Sequence, residues 1–382
     1  MSGTSLLVTN QFPPKRGGIQ NYLFDLYSYL PRDSFRVVTV PRPGGREFDA
    51  ANDLPVTTVA GPKFSRGLLR ALMLPTAMRV MLSQDISDIH CGVVSPDGHI
   101  GQYLSRLTGK PYLVFTYGKE VSPEMRPNRY ARRRNVLNGT NVVVACSQFT
   151  RRLLLDMGIS ENKIEVITPS VDVAALTPGP KNPELVNKLG LGQSRVILSV
   201  GRLIERKGFD TVIRAMPKIV KAVPEAVYVV AGSRGFYLPR LQEIVAELGM
   251  QDHVRFLGDV NEASLPDLYR LCDVFAMVSR TLPNGDCEGF GIVLLEAQAC
   301  GKPVIGGLSG GVPEALEDGV TGSLVDPTNP EHAADAIVRI LRDQELAEQM
   351  GNAGRRRVED EFSPQRQARR FMDLIDNRFT RA

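Results

Sequence analysis

Short apolar runs alternate with longer stretches of helical apolar spacing through most of the chain. The runs of the first half lie at residues 5–9, 37–40, 56–59, 86–91, 112–116, 142–145 and 163–167. A second series comprises residues 196–200, 227–231, 254–257, 274–278, 303–305 and 322–325. Strands that alternate with helices in this way predict an α/β protein with two doubly wound parallel sheets.

The alternation is interrupted by a segment rich in proline and glycine at residues 177–183. Such a composition is typical of a connection between domains. We therefore predict a first domain at residues 1–173, a linker region at 174–194 and a second domain at 195–363. The closing stretch, residues 364–382, has helical spacing and no strand after it.

Composition indicates a globular protein without a membrane span. Of the 382 residues, 43% are hydrophobic and 23% are charged, and no apolar run reaches the length that crosses a bilayer. The first residues do not show a charged segment followed by an apolar one, so the simplest expectation is a cytoplasmic protein. Five scattered cysteines and four histidines show no metal-site spacing, and we expect no metal ion.

Charge is unevenly distributed between the two halves. Residues 1–172 carry 21 Lys and Arg against 14 Asp and Glu, a net +7, whereas the remaining residues carry 25 against 28, a net −3. The overall charge of +4 is too small to indicate a nucleic-acid-binding protein. Residues 64–82 mix arginines with leucines and methionines, and five more arginines follow within 126–134. These features fit either a solvated surface or a contact with an anionic membrane.

Two loops of the first half follow predicted strands. Gly17 and Gly18 precede a helical stretch, where paired glycines allow an anion to approach the backbone at a helix start. Their spacing matches neither the dinucleotide fingerprint nor a Walker motif. Residues 116–120 follow another strand, and ligands of doubly wound sheets bind beyond the carboxyl ends of the strands. We therefore expect residues 116–120 to line a cleft.

Two carboxylates of the second half, Glu288 and Glu296, lie eight positions apart around a glycine-containing turn. A helix starting near Phe290, with Gly291 and Ile292 in its first turn, would direct free N–H groups toward the group that Glu288 holds. Glu296 would lie about 9 Å further along the axis. The arrangement suits an elongated polyol phosphate such as a nucleotide-sugar. The alternative is a core helix with a capping glutamate.

Polar residues also follow other strands of the second half. Arg202 and Lys207 lie beyond residue 200, where a guanidinium fork and a mobile ammonium can bind a diphosphate. Such cations stabilise the charge that develops on a departing diphosphate, although surface salt bridges are the alternative. Gly232 lies in the next loop, which we expect to lie near a phosphate or ribose. Asp259 could pair with the hydrogen-bonding edge of guanine, or could cap a turn.

These motifs together resemble one known family. The Glu288 and Glu296 pair resembles the signature of the retaining GT-B glycosyltransferases of family four, and residues 17–19, 201–208 and 309–314 resemble further family segments in the expected order. The resemblance covers nearly the whole chain. It implies the GT-B architecture, in which two Rossmann-like domains face a cleft and a C-terminal helix crosses back to the first domain. It also implies a nucleotide-sugar donor, retention of configuration and no metal requirement.

The resemblance further implies roles for individual residues. Glu288 is expected to hold the hydroxyls of the donor sugar, and Glu296 the ribose diol. Arg202 and Lys207 are expected to bind the leaving diphosphate, while the glycine loop of the first domain and the backbone at the helix start contact the donor. No protein nucleophile is required, because the leaving diphosphate itself accepts the proton of the acceptor.

One position departs from the family pattern. Many relatives have a histidine after the threonine at 116, whereas this chain has Tyr117. Tyrosine can donate a hydrogen bond to a sugar hydroxyl, but its pKa of about 10 makes it a poor proton shuttle at neutral pH. We therefore expect Tyr117 to position the sugar rather than to act as a base. The alternative is a tyrosine that only packs a loop.

Residues 73–76 and the insertion at 280–286 most resemble the actinobacterial phosphatidylinositol mannoside mannosyltransferases. This likeness implies transfer of mannose from GDP-mannose to a lipid-linked acceptor at the inner face of the plasma membrane, with peripheral membrane contact through the first domain. A UDP-sugar enzyme of cell-envelope or exopolysaccharide synthesis is an alternative within the class. A nucleotide-sugar epimerase is an alternative of another class, disfavoured by the scarcity of histidine.

Overall fold

The computed structural model describes residues 3–15, 17–60, 66–233 and 235–379, without the side chains of residues 66, 69 and 70. It divides into two compact units. The first comprises Met1–Ser170 together with Pro364–Ala382, and the second comprises Val171–Ser363. Within the described ranges, no helix is long and apolar enough to cross a membrane.

The first unit is built on a parallel sheet. Its strands within the described residues are β1 (Thr4–Val8), β2 (Phe35–Thr39), β3 (Val56–Thr58), β4 (Ile86–Cys91), β5 (Tyr112–Thr116), β6 (Val142–Ala145) and β7 (Ile164–Val166). The connecting helices are α1 (Gly18–Ser28), α2 (Gly45–Ala51), α3 (Arg66–Ser83), α4 (Asp97–Thr108), α5 (Pro127–Asn138) and α6 (Gln148–Asp156). The strand order is β3-β2-β1-β4-β5-β6-β7, and each pairing is parallel.

The second unit repeats this plan. Its described strands are β8 (Arg195–Val200), β9 (Ala226–Ala231), β10 (Val254–Gly258), β11 (Val274–Met277), β12 (Val304–Gly307) and β13 (Gly322–Val325). Its helices are α7 (Pro183–Lys188), α8 (Phe209–Ala222), α9 (Leu238–Glu247), α10 (Leu265–Leu271), α11 (Ile292–Ala299), α12 (Val312–Ala315), α13 (Pro330–Arg342) and α14 (Gln344–Glu361). The strand order is β10-β9-β8-β11-β12-β13.

Continuous apolar runs form these strands because helices cover both faces of each sheet. Strand β9 is buried along its whole length, as are β5 and β6. Helix α8 contributes a row of buried side chains that packs on the second sheet. The two doubly wound parallel sheets confirm the predicted fold class.

Both sheets reverse their strand order beside their first strand, between β1 and β4 and between β8 and β11. Strand β11 pairs directly with β8, so that Phe275 lies opposite Leu198. Loops that leave two such neighbouring strands diverge and open a crevice at the carboxyl edge of the sheet. In the second unit these two loops carry Lys207 and Glu288.

The region predicted as a linker, residues 174–194, belongs to the second unit and contains a helix. The Asn182 side chain caps that helix, and the Lys181 ammonium lies 2.8 Å from Asp273 Oδ2. Arg270 Nε donates a 2.9 Å hydrogen bond to the Thr177 carbonyl. Composition indicated the break in the strand pattern, but it does not predict the side-chain contacts that hold this region to the second unit.

The closing segment forms α15 (Pro364–Phe379), which returns to the first unit and packs against α1. Phe371 is fully buried, and its ring lies 5.6 Å from that of Tyr27 and 5.5 Å from that of Phe115. The predicted crossing helix is therefore confirmed. A layer of aromatic rings, formed by Phe371, Tyr27 and Phe115, packs the helix against the sheet.

Replacing Phe371 by alanine is expected to lower the free energy of unfolding by about 3–5 kcal/mol, because it leaves a cavity among these rings. The free energy would be measured by urea unfolding. The matched control is Arg369→Ala, an exposed site on the same helix, which should change stability by less than about 0.5 kcal/mol. Equal stability of the two variants would contradict a structural role for the aromatic layer.

Candidate functional site

A cluster of charged side chains lies at the carboxyl edge of the second sheet. Glu288 Oε2 lies 2.6 Å from Lys207 Nζ and 2.6 Å from Arg206 Nη1. Arg206 Nε lies 3.4 Å from Asp286 Oδ1. Arg206 and Lys207 are each only 9% exposed, so the attraction within the cluster is weakly screened by solvent.

The cluster perturbs the titration of its members. Burial alone would raise the pKa of Glu288, but the neighbouring Lys207 and Arg206 charges outweigh it and lower the pKa to about 2. Burial lowers the pKa of Lys207, and the charges of Arg206 and Arg202 lower it further, against the attraction of Glu288. Glu288 is therefore an ionised acceptor at neutral pH, held between two cations.

Close backbone packing brings the cluster together. Gly208 has a φ of 71°, and a Cβ there would lie 1.9 Å from the Val278 carbonyl oxygen, so only glycine fits. On the other side, Gly311 N donates a 2.9 Å hydrogen bond to the Glu288 carbonyl. A Cβ on Gly310 would lie 2.5 Å from that same oxygen. The loop after β12 therefore supports the backbone of Glu288.

Glu296 occupies a separate position on α11. It accepts a hydrogen bond from the Tyr269 hydroxyl, which reaches it from α10. Burial raises the pKa of Glu296, while the hydrogen bond from Tyr269 and the charge of Lys207 oppose that shift. Lys207 thus acts electrostatically on both glutamates.

The helix between the two glutamates starts later than predicted. Helix α11 begins at Ile292, after Gly291 at a φ of 102°, rather than near Phe290. The Phe290 ring is buried and lies 5.7 Å from the Phe362 ring, so only the backbone of Phe290 can contact a ligand. A glycine in the left-handed conformation directly precedes the helix at this point, which the apolar pattern alone did not reveal.

Three glycines, Gly201, Gly232 and Gly258, lie at the ends of β8, β9 and β10 and form a glycine floor beside the cluster. Gly232 N donates a 2.8 Å hydrogen bond to the Gly258 carbonyl, and a Cβ on Gly232 would lie 1.8 Å from the Gly201 carbonyl oxygen. A cavity of about 280 Å³ adjoins Gly258. Its other lining residues are Leu203, Leu238, Gln242 and Phe256. Apolar walls around one amide side chain suit a flat heterocycle with a polar edge.

Family models match both halves of the chain. Residues 16–175 match "Glycosyltransferase Family 4" and residues 181–357 match "Glycosyl transferases group 1". A GDP-mannose-dependent alpha-(1-6)-phosphatidylinositol monomannoside mannosyltransferase of Mycolicibacterium smegmatis is 34% identical over 388 residues, covering 98% of both chains. The enzyme of the same name from Mycobacterium tuberculosis is 35% identical over 378 residues, covering 97% of both chains. The chain is a family 4 glycosyltransferase.

A solved structure shares the fold of this glycosyltransferase. Anabaena HepE, crystallised with UDP and glucose, superposes with a TM-score of 0.82 at 23% identity, covering 98% of this chain and 99% of that one. The structural neighbour supports the GT-B architecture.

Within the glycosyltransferase, the predicted residues of the second unit are partly brought together. Lys207 contacts Glu288, whereas the Arg202 side chain is exposed and reaches Lys207 only electrostatically. Asp259 is exposed beyond β10 and is not among the residues that line the cavity. Its predicted contact with a base stays a prediction.

The predicted residues of the first unit belong to two loops. Gly17 has a φ of 155° and precedes α1, which begins at Gly18. Tyr117 donates a 3.0 Å hydrogen bond from its hydroxyl to the Gly92 carbonyl, and its ring lies edge-on to Tyr22. Burial raises the pKa of Tyr117 well above its usual value, which agrees with a positioning role rather than that of a base.

Three residues of the site escaped sequence reasoning as functional candidates. Arg206 lies in the predicted cationic motif, but the family pattern assigns a role only to Arg202 and Lys207. Tyr269 and Gln242 lie on helices whose spacing predicts only packing. The signal for Arg206 was its place next to Lys207, whereas no local pattern marked the other two.

Replacing Glu288 by glutamine is expected to lower the free energy of unfolding at pH 7 by roughly 3 kcal/mol, because two buried cations lose their carboxylate. The pKa of Glu288 is depressed to about 2 in the folded state, so its contribution is present above the ordinary value of 4.5 and is lost as pH falls toward 2. The deficit, measured by urea unfolding at several pH values, should therefore narrow below about pH 4.5.

The control is Glu225→Gln at an exposed site, which should show no such pH-dependent deficit. A deficit for Glu288→Gln that stays constant from pH 7 to about pH 3 would contradict the strongly depressed pKa.

Proposed function

We propose that this glycosyltransferase moves mannose from GDP-mannose to a phosphatidylinositol-mannoside-type acceptor, with retention of the anomeric configuration. The observation that carries the proposal is the contact of Glu288 with Lys207 at the switch point of the second sheet. Similarity over 98% of both chains to a mannosyltransferase supports the choice of donor and acceptor.

In this proposal, Glu288 binds the sugar and the cations bind the diphosphate at the reaction centre. Both cations contact Oε2 of Glu288, so Oε1 can accept hydrogen bonds from the sugar hydroxyls without displacing either of them. Lys207 and the exposed Arg202 bind the diphosphate and stabilise the negative charge that develops as the glycosidic bond breaks. The leaving diphosphate accepts the proton of the acceptor hydroxyl.

The remaining contacts hold the nucleoside. Glu296 accepts hydrogen bonds from the ribose diol, and Tyr269 orients its carboxylate. The glycine floor around Gly232 allows the diphosphate to approach the backbone. The guanine ring occupies the cavity beside Gly258, where the Gln242 amide can pair with its polar edge. No metal ion is required in this scheme, because side-chain cations bind the diphosphate.

GDP and GDP-mannose are expected to raise the melting temperature of the protein in the presence of EDTA, whereas UDP and UDP-glucose are not. A single bound ligand at 100 times its Kd stabilises by about 2.7 kcal/mol, which a thermal-shift assay detects readily. Preference for the uridine ligands would instead indicate a UDP-sugar enzyme of envelope or exopolysaccharide synthesis. Stabilisation that disappears with EDTA would contradict the metal-free scheme.

Two lysine variants test the role of Lys207 in turnover, with Lys218 as the control. Lys207→Ala should lower kcat by about 100-fold or more with a phosphatidylinositol monomannoside acceptor, because a transition-state cation is lost. Lys218→Ala, at a partly exposed lysine of α8 that pairs with Glu331, should leave turnover unchanged.

We further propose that the first unit contacts an anionic membrane through α4 and α5. His99, Tyr103 and Leu107 are exposed at four-residue spacing on one face of α4, with Tyr103 50% and Leu107 58% exposed. Helix α5 packs against α4. Burial lowers the pKa of His99, and the charges of Arg133 and Arg132 on α5 lower it further. Apolar side chains next to a basic helix suit an anionic lipid surface.

This surface differs from the one suggested by residues 64–82. Most apolar side chains of α3 pack into the core of the first unit, with Met73 fully buried. Phe64 and the side chains of Arg66 and Arg70 lie outside the described part of the structure. By contrast, α5 carries exposed arginines at Arg129, Arg132 and Arg134, is preceded by the exposed Arg126 and has no acidic residue.

Neutralising two of these arginines with Arg129→Gln and Arg132→Gln is expected to weaken binding to vesicles containing phosphatidylinositol by about tenfold or more, since each cation contributes about 1 kcal/mol near an anionic surface. Vesicle sedimentation measures the effect. The control pair Arg366→Gln and Arg369→Gln, exposed on α15, should bind like the unmodified protein. Equal losses for both pairs would point to net charge rather than to this surface.

A further inference from the structure

We propose that Arg206 is a positioning residue that holds Glu288 in place while Lys207 moves from Glu288 to the donor diphosphate. The inference rests on the proposed function, because it concerns the same donor site. On this proposal, Arg206 contacts neither the donor nor the acceptor. It acts through Glu288 and Lys207.

The starting observation is that two cations contact one carboxylate oxygen. Arg206 Nη1 and Lys207 Nζ each lie 2.6 Å from Glu288 Oε2. If Lys207 leaves, Glu288 keeps its contact with Arg206, whose separate N–H groups reach both Glu288 and Asp286. Glu288 is therefore not left as a buried anion without a cation.

The two cations differ in how firmly they are held. Arg206 has a second carboxylate partner, since its Nε lies 3.4 Å from Asp286 Oδ1. Its backbone is also fixed, because Arg280 N donates a 2.8 Å hydrogen bond to the Arg206 carbonyl. The Arg280 guanidinium in turn forms two 2.9 Å hydrogen bonds to the carboxylate of Asp210.

Lys207 is the cation suited to move. Its ammonium is a point charge on a flexible four-carbon stem, whereas the guanidinium of Arg206 is a planar fork engaged with two carboxylates. The left-handed Gly208, packed against the Val278 carbonyl, fixes the backbone just beyond Lys207. The side chain can therefore change partners without a backbone shift.

This arrangement resolves a conflict at the donor site. An arriving diphosphate competes with Glu288 for Lys207, and a carboxylate abandoned by its only cation would take up a proton or turn away. Glu288 would then no longer accept hydrogen bonds from the sugar. With Arg206 in place, the Glu288 carboxylate stays ionised and keeps its orientation while Lys207 binds the diphosphate.

Three variants test the assignment. Arg206→Met removes the charge but keeps much of the side-chain volume, and Arg206→Lys restores a charge. Arg355→Met is the structural control, because Arg355 is a largely buried arginine of the same unit that pairs with Glu359 and donates to the Ala299 and Leu176 carbonyls. Its loss should lower stability without affecting Glu288.

The first readout is the carboxyl carbon resonance of Glu288 in protein labelled at glutamate, assigned by its absence from Glu288→Gln. In the unmodified protein it should not titrate above about pH 3, with or without GDP. In Arg206→Met, addition of GDP should raise its midpoint by at least about one pH unit, because Lys207 then leaves. Arg206→Lys should behave largely like the unmodified protein, and Arg355→Met fully so.

The second readout is steady-state kinetics with GDP-mannose. Arg206→Met should give kcat/KM an acid limb that the unmodified protein lacks, and the loss should be at least tenfold at about pH 5 and smaller at about pH 8. Arg206→Lys should remove most of that pH dependence. Replacing an arginine that has only a structural role, as in Arg355→Met, should lower activity by the same factor at all pH values.

Two outcomes would overturn the inference. One is a Glu288 resonance in Arg206→Met that does not respond to GDP although calorimetry shows GDP bound. The other is a pH profile of Arg206→Met that parallels that of Arg355→Met. If the unmodified protein binds UDP instead of GDP, the donor assignment fails on its own, and the same titration with UDP still decides the role of Arg206.

Discussion

The charge balance around Glu288 is the constraint on which the charged cluster of the second unit depends. A buried carboxylate stays ionised only with compensating charge and hydrogen bonds. Here Arg206 and Lys207 provide both, and both contact a single oxygen of Glu288. Their combined effect lowers the pKa of Glu288 to about 2 despite its burial. The cluster therefore consists of ionised groups before any donor arrives, and only charged groups already in place can stabilise charge that develops in a transition state.

Backbone packing at the sheet edge makes that charge cluster possible. The loops after β8, β11 and β12 approach so closely that side chains larger than hydrogen would collide at Gly208, Gly310 and Gly311. The parallel pairing of β8 with β11 sets the starting points of two of these loops. Strand order thus determines which charged residues meet, and glycine determines how closely they meet.

The two units contribute different chemistry. The described cluster of buried ionised groups lies in the second unit, on rigid loops at a strand switch point, as suits a step governed by charge. The first unit exposes arginines and apolar side chains on α4 and α5, as suits a lipid-bearing partner. Its Tyr117 hydroxyl is engaged with a backbone carbonyl, so any contact with a sugar requires that bond to be shared or exchanged.

The sequence by itself determined the strand and helix series, the two sheets, the returning C-terminal helix and the glutamate and lysine at the centre of the site. The strands, helices and sheets follow from local periodicity, whereas the return of the C-terminal helix and the roles of the glutamate and lysine follow from the resemblance of the motifs to a known family. Only the tertiary structure decided that Arg206 shares Glu288 with Lys207, that Tyr269 binds Glu296, and that residues 174–194 pack on the second unit. Each of these depends on contacts between residues far apart in the chain, which local patterns do not encode.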